Sequence, residues 1–428
     1  MPLRKLTTKI TDGSHQSPKS NDSFTKKYIT VKDMDDFGNI NFNNCLRISD
    51  EDYKILVKGG CQPLEGDVLL SKDGTVGKTY TVRGYNDFVL LSSIAIIRPL
   101  QNFILPEYLE LIFKMNSIMQ IIKRLMGGTA LQRIVLLNLK RLPIPLLPID
   151  VQSKLITLYS TALNQYKTKV LKSLQILNEE SDLIIQNLGL NIKLNQIHRK
   201  KFIIKYSQTT NRLDPLYYSK DLFAFLEGIP HQVLPILKVM RYMKTGFATG
   251  RENQDRTGNG VIQIRPTNID DDRNLIFDKN VYIDREELSS RHGDILCRGE
   301  VLFNNTNSQE LVGKTTYFDI EGAYFCSNHI TRIGVDSSIV EPEYLCLILN
   351  LYQRNKIFYH LCTNWNNQSG VNVKLLRKID IPVPDLDIQR GIISEVNRRK
   401  QLAAQLRQEA IQGLEAAKAE VERMILGE

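Results

Sequence analysis

Two segments of this 428-residue chain carry Val-Gly-Lys-Thr, at Val76–Thr79 and Val312–Thr315. These are residue types with which a glycine-rich loop cradles phosphate. A nucleotide-binding loop also needs a glycine five residues ahead of the second one, and Lys72 and Ser308 stand there. Both copies fail that test and read as turns between strands, with Lys78 and Lys314 facing either solvent or a DNA phosphate. Asp214-Pro215-Leu216-Tyr217 is a partial form of the Asp-Pro-Pro-Tyr motif that holds a target amine for methyl transfer. It lacks the second proline, and no glycine-rich strand-turn-helix for a methyl donor accompanies it. The six histidines (His15, His198, His231, His292, His329, His360) and six cysteines (Cys45, Cys61, Cys297, Cys326, Cys346, Cys362) are scattered singly. Their spacing suits no triad, zinc site or disulfide framework. No catalytic constellation emerges, so neither a metal nor a cofactor is expected in this chain.

What the sequence does supply is side chains able to bond base edges: Arg and Lys on guanine, Asn and Gln on adenine. In the first half the candidates are Ser14 and His15 in the Asp12–His15 run, Lys72, Lys78, and Thr129, Gln132 and Arg133 in the run Gly127–Arg133. In the second half they are Lys244, Arg251, Arg256, Arg265, Arg298, Asn304, Asn305 and Lys314. The run Asn364–Gln368 adds Asn366, Asn367 and Gln368. Trp365, the single tryptophan, is either a core plug or a DNA-facing ring.

The elements that must position these residues occur twice. Ile29-Thr30-Val31-Lys32 answers Ile262-Gln263-Ile264-Arg265, and Gly66-Asp67-Val68-Leu69 answers Gly293-Asp294-Ile295-Leu296. The Val-Gly-Lys-Thr pair follows, then Pro106-Glu107-Tyr108-Leu109 with Pro342-Glu343-Tyr344-Leu345, and Leu142-Pro143-Ile144-Pro145 with Ile381-Pro382-Val383-Pro384. Five matches in one order, at an offset of roughly 235 residues, imply duplication. Each half opens with short β-branched runs between Gly, Asn and Asp turns, such as Val89–Ile97 and Ile295–Phe303, which predict small sheets. An amphipathic helix is expected after each Pro-Glu-Tyr-Leu.

After each Pro-x-Pro comes an uninterrupted helical pattern. Ile156, Leu163, Val170, Leu177 and Ile184 recur every seven residues within Asp150–Leu188. Val396, Ala403, Ala410, Ala417 and Met424 do so within Asp385–Leu426, with Leu414 and Val421 completing the stripe. At 1.5 Å per residue the two helices are about 58 and 63 Å long, matched for an antiparallel coiled coil. Packing of each helix against its own domain is the plainer alternative. The expected class is α+β: a first domain at residues 1–149, a spacer helix at 150–190, a second domain at 191–384 and a C-terminal spacer helix at 385–428. Residues 191–240 serve as an introductory segment to the second domain.

Composition bounds the function only loosely. A hydrophobic content of 42% and charged content of 24% are ordinary for a globular protein. No apolar run reaches membrane-spanning length and no signal peptide opens the chain, so a soluble cytoplasmic protein is expected. The net charge of +9 suits a polyanion. It is unevenly placed, however: residues 1–149 carry +6 and 191–240 carry +5, while 241–384 carry −1.

Taken together, the ordered motifs resemble the specificity (S) subunits of type I restriction-modification systems. The resemblance runs along nearly the whole chain and rests on Gly-Asp-Val/Ile-Leu, Val-Gly-Lys-Thr, Pro-Glu-Tyr-Leu, Gly127–Arg133, and the Pro-x-Pro segments followed by Gln152 and Gln389. Arg212–Tyr218 resembles the segment that introduces such a recognition domain; the first half has no counterpart of residues 191–240, which leaves exact symmetry in doubt. The resemblance implies two target-recognition domains, each reading half of a bipartite double-stranded DNA site, with the helices fixing the gap. It implies a noncatalytic chain partnered by two DNA methyltransferase (M) subunits using S-adenosylmethionine, and by restriction/translocase (R) subunits using ATP and Mg. A stand-alone DNA-binding or scaffold protein of the same fold is the alternative reading.

Overall fold

Val68–Leu70 and Ile94–Ile97 are apolar at every position, a pattern that suits strands covered on both faces. The computed structural model, which describes residues 1–84, 87–127, 132–192, 222–366 and 368–427, shows such covered strands in each of two units.

The first unit comprises Met1–Ser173 with Ala404–Glu428. Its strands are β1 (Thr7–Asp12), β2 (Lys26–Ile29), β3 (Leu46–Ile48), β4 (Val68–Ser71), β5 (Thr79–Thr81), β6 (Phe88–Leu90) and β7 (Ile94–Pro99). An antiparallel sheet runs β1-β7-β4-β5, and a smaller one runs β3-β2-β6. Because alternate side chains point to opposite faces, Val68, Leu70, Ala95 and Ile97 pack toward the helix Pro106–Phe113. Leu69, Ile94 and Ile96 pack toward Ile29, Phe88 and Leu90 on the other side.

The second unit, Leu174–Ala403, repeats the plan. It contains β8 (Gln232–Pro235), β9 (Met240–Thr245), β10 (Gln254–Asp255), β11 (Val261–Ile264), β12 (Tyr282–Ile283), β13 (Glu300–Asn304) and β14 (Thr306–Asn307). These are followed by β15 (Thr315–Phe318), β16 (Phe325–Cys326), β17 (Ile330–Val335), β18 (Thr363–Trp365), β19 (Gln368–Gly370) and β20 (Asp380–Val383). The sheet β15-β13-β17-β9 has the order of β5-β4-β7-β1. The parallel pair β11/β16 answers β2/β6. Helix Pro342–Arg354 answers Pro106–Phe113, each opened by a proline at its first turn, where no amide is needed.

The repeat is therefore real, but three of its five sequence matches were slipped. Ile29 pairs with Leu90 and Ile264 with Cys326, and Leu90 and Cys326 each accept from the chain just after β1 or β9. Ile29 thus corresponds to Ile264 rather than Ile262. Val68 faces Ile97 as Val301 faces Ile333, so the partner of Gly66 is Gly299, both at positive φ (81° and 95°). Gly293 instead lies in the short turn His292–Asp294 ahead of the strand. Leu142 accepts from Leu3 as Ile379 accepts from Ile236, which moves the last match by two residues as well. Slips of two residues, or of six as at Gly66, preserve the in-out alternation of a strand, so side-chain type alone does not reveal them.

The central helix runs Ile149–Asn178 and resumes as Glu180–Leu188, ending at Gly189 in a left-handed conformation. The C-terminal helix is continuous over Leu386–Leu426. The units divide both helices, rather than following the boundaries expected at residues 149/150 and 384/385. Within the first unit Lys169 Nζ lies 2.8 Å from Glu409, and Arg407 Nε donates to Ser173 Oγ at 3.2 Å. Rising numbers on one helix meet falling numbers on the other, which is the antiparallel arrangement. In the second unit Arg399 lies 3.9 Å from Glu179.

Of the expected stripe, Ile184, Val396, Ala403 and Ala410 are buried, while Ile156, Leu163, Val170, Leu177 and Ala417 are half-buried. Met424 is 41% exposed and leaves the seam, which passes instead through Leu414 and Val421. A helix of 3.6 residues per turn drifts by about 20° per heptad, enough to carry a strict seven-residue series off the contact line. On the central helix the deepest positions are Gln152, Leu155, Ser173, Glu180, Ile184 and Leu188, so polar as well as apolar side chains line the seam.

Gln152 and Gln389 begin the two helices and are fully buried. Gln152 accepts from Leu105 N (2.9 Å) and donates to Phe103 O (2.9 Å) and Leu147 O (2.7 Å). Gln389 accepts from Glu341 N (2.9 Å) and donates to Ile339 O (3.0 Å) and Pro384 O (2.8 Å). Replacing either glutamine with Ala strands three buried backbone groups and should cost about 2–4 kcal/mol. The two losses should add in the double variant, being in separate units. Urea denaturation measures both, and a loss below about 0.5 kcal/mol would show that the amides tie nothing down.

Candidate nucleic-acid interface

One end of each main sheet gathers some of the residues that the sequence singled out: Ser14, His15, Lys72, Gln132 and Arg133 in the first unit, and Lys244, Asn305, Asn366 and Gln368 in the second. At the end of β1 the chain crosses Leu90 so closely that a Cβ on Gly13 would lie 2.2 Å from Leu90 O; Gly246 stands equally close to Cys326 O. Only glycine fits these crossings. Beyond Gly13, Ser14 is buried and its hydroxyl donates to Gln16 O, which removes it as a base reader. His15 is exposed, with Nε2 3.4 Å from Asp12.

Lys72, just past β4, is buried, its ammonium 2.9 Å from Asp73 and 3.5 Å from Asp12. The Gly127–Arg133 segment docks on this turn: Gly74 N donates to Gln132 O and Ile134 N to Lys72 O. The side chains of Gln132 and Arg133 remain exposed. Thr129 lies outside the described residues.

The second unit places Thr245 where the first has Asp12, and Asn305 and Thr306 where it has Lys72 and Asp73. Val371 N donates to Asn305 O, as Ile134 N does to Lys72 O. The segment preceding Val371 is a hairpin, β18 and β19, with β14 beside it. Gln368 is exposed opposite Trp365, and Asn366 sits at the exposed tip with φ 39°. Asn367 lies outside the described residues. Trp365 is 45% exposed, which settles its reading against a core plug. The described ends of the two runs are therefore anchored at one structural position, Ile134 N on Lys72 O and Val371 N on Asn305 O.

Several other candidates are corrected. Asn304 is fully buried, with its amide directed at Leu311 O. Asn305 spends its amide on Thr331 Oγ1 and Asn328 O and accepts from Thr306 Oγ1. Lys78 turns inward to donate to Met34 O at 2.6 Å. Lys314 is buried and pairs with Asp271, one turn further along the matching loop. Arg265 stacks its guanidinium NH groups on Gln263 Oε1, and burial lowers its pKa. Each of these side chains holds a loop in place. Lys244, Arg251, Arg256 and Arg298 are exposed. Arg298 stands 3.9 Å from both Asp319 and Glu321, and only Lys244 adjoins the sheet end just described.

The far end of each sheet is pinned by an arginine on a buried carboxylate. Arg98 reaches Asp67 with two bonds of 2.7 and 2.8 Å, and Arg332 bonds Glu300. Tyr242 also donates to Glu300; burial, and then that carboxylate, push its phenol up to about 12. Sequence reading missed the acidic and hydroxyl members of the site: Asp12, Asp73, Thr245, Thr306 and Thr331. Their common signal is position, at the point where a β-branched run meets the next turn. Among the described residues no cluster of three or more His, Cys, Asp or Glu could hold a metal, and no helix is long and apolar enough to cross a membrane. All six cysteines are free, five of them buried.

Comparison with known proteins follows the duplication. A family model described as the type I restriction modification DNA specificity domain matches residues 10–177 and again 255–415. The chain belongs to that family. Each match covers strands of one unit and runs into one long helix, so one domain and one helix make the repeating piece. A putative type I restriction enzyme MjaX specificity subunit from Methanocaldococcus jannaschii is 24% identical over 183 residues. That alignment covers 41% of this chain and 42% of the relative's own length. A solved chain from work on complex assembly and conformational transition of the type I R-M system covers 99% of this chain and 96% of its own. Its TM-score of 0.59 at 13% identity shows a shared fold.

The inward lysines give a direct test of this division of labour. Lys78→Met and Lys314→Met should lower thermal stability and leave the salt dependence of DNA affinity unchanged. Gln132→Ala with Arg133→Ala should weaken DNA binding while moving stability by less than about 0.5 kcal/mol. A salt slope reduced by about one for each lysine removed would place those ammonium groups on phosphates instead.

Proposed function

We propose that this chain is the sequence-reading specificity subunit of a type I restriction-modification complex. Each unit reads one half of a bipartite double-stranded DNA site, and the paired helices set the gap and dock the methylation subunits. The observation that carries this reading is the duplication: two units share one sheet order, and in each the chain bonds back to the same turn, Ile134 N to Lys72 O and Val371 N to Asn305 O, with different side chains exposed beside it. Family membership supports it. Phosphate contacts would seat each unit, and the exposed side chains at the sheet end would select bases in the groove.

The chain performs no chemistry in this reading. Two DNA methyltransferase subunits supply S-adenosylmethionine-dependent methylation, and restriction/translocase subunits supply ATP- and Mg-dependent cleavage. Duplication favours two like partners, because each domain-plus-helix piece offers the same docking surface.

Mapping DNA methylation in cells that express the chain with its methylation partner should reveal two short motifs separated by a fixed gap. Removing one heptad from both helices, residues 172–178 together with 400–406, should keep both motifs and change only the gap. An altered motif would overturn the spacer role, and methyl transfer by the purified chain alone would overturn its noncatalytic assignment.

A further inference from the structure

The two reading ends differ in chemistry. In the first unit the turns carry Asp12, Lys72 and Asp73, all charged. In the second the corresponding positions form a cleft lined by Thr245, Thr306, Thr331, Thr363, Trp365 and Gly370. The indole lies against Gly370: a Cβ there would fall 2.4 Å from Trp365 Cη2. The ring is thus backed by main chain, with its remaining surface open to solvent.

The polar atoms of this cleft are largely spent on one another. Asn305 donates to Thr331 Oγ1 at 2.9 Å, Thr306 donates to Asn305 Oδ1 at 2.7 Å, and the hydroxyls of Thr245 and Thr331 stand 3.5 Å apart. With these bonds made, the cleft offers chiefly threonine methyls and an aromatic surface. Of the groups on the major-groove edge of unmodified DNA, one is apolar: the C5-methyl of thymine.

Resting on the reading proposed above, we infer that the cleft of the second unit is a thymine-methyl subsite, and that Trp365 is a specificity-determining residue for that half-site. Among the described residues, the first unit is charged at the same place and presents no aromatic ring there. Thymine is selected over cytosine because its methyl packs against the indole and threonine surface of the cleft, without a hydrogen bond to Trp365.

The test uses the full chain in its complex and synthetic duplexes carrying the mapped site, with each thymine in turn replaced by deoxyuridine. That change removes only the methyl. One position in the half-site read by the second unit should lose about three- to fivefold in affinity, the weight of one buried methyl. Trp365→Ala should weaken the thymine duplex and bind thymine and uracil duplexes equally at that position. The inference fails if that half-site contains only G·C pairs, if no thymine in it distinguishes itself from uracil, or if Trp365→Ala preserves the discrimination. The thymine-to-uracil comparison on the unaltered chain stands without the variant. Loss of all site-specific binding by the unaltered complex would count against the proposed function and this subsite together. Specific binding without methyl discrimination counts against the subsite alone.

Discussion

Each half of the protein is organised around one buried amide. Gln152 and Gln389 stand at the start of their helices and bond main-chain groups on both sides of the junction: the loop ahead of Pro-Glu-Tyr-Leu and the strap leading into the helix. A glutamine suits this task because its side chain can accept and donate at once. An apolar residue of similar size would fill the space and leave those backbone groups unpaired in the interior. The direction in which each helix leaves its domain is therefore fixed by hydrogen bonds, and the apolar stripe acts only further along.

Above that junction the domains tolerate wide changes in the side chains they display. The sheet orders agree, the glycine crossings at Gly13 and Gly246 agree, and the ion pairs at the far end agree in type. Even there the arginine has moved along its strand: Arg98 stands two residues further than the position matching Arg332. The end proposed to read DNA differs most between the units: charged turns at Asp12, Lys72 and Asp73 in one, a threonine-lined cleft beside a hairpin in the other. A rigid sheet with variable ends allows recognition to change without refolding the scaffold.

Architecture was legible in the sequence because it rests on patterns that survive divergence: β-branched runs, a proline opening a helix, and long stretches without helix breakers. Individual site residues were not. Lys78, Lys314 and Asn305 have the right chemistry for DNA, yet each is turned inward by a partner distant in sequence, such as Met34, Asp271 or Asn328. No local pattern encodes such a partner. Asn304 ends β13 and Asn305 follows it directly, where alternation alone does not say which side chain the next turn will bury. The heptad series foretold two paired helices but left out part of the seam, since Ser173 and Glu180 are also buried, through polar partners on other elements.

The crossing of the helices bears on how the molecule is made. The first unit is completed by residues beyond Ala404: Leu414 and Val421 enter its core, and Glu422 accepts from Ser117 N. A ribosome adding about 5–20 residues per second needs on the order of ten to fifty seconds after the first domain emerges before those residues are available. Throughout that interval the apolar seam of the central helix in the first unit lacks its covering strand of chain. The nascent protein thus carries an open flank on its first unit until Leu414 and Val421 have been made, and that unit closes only after the whole second unit has been threaded through the ribosome.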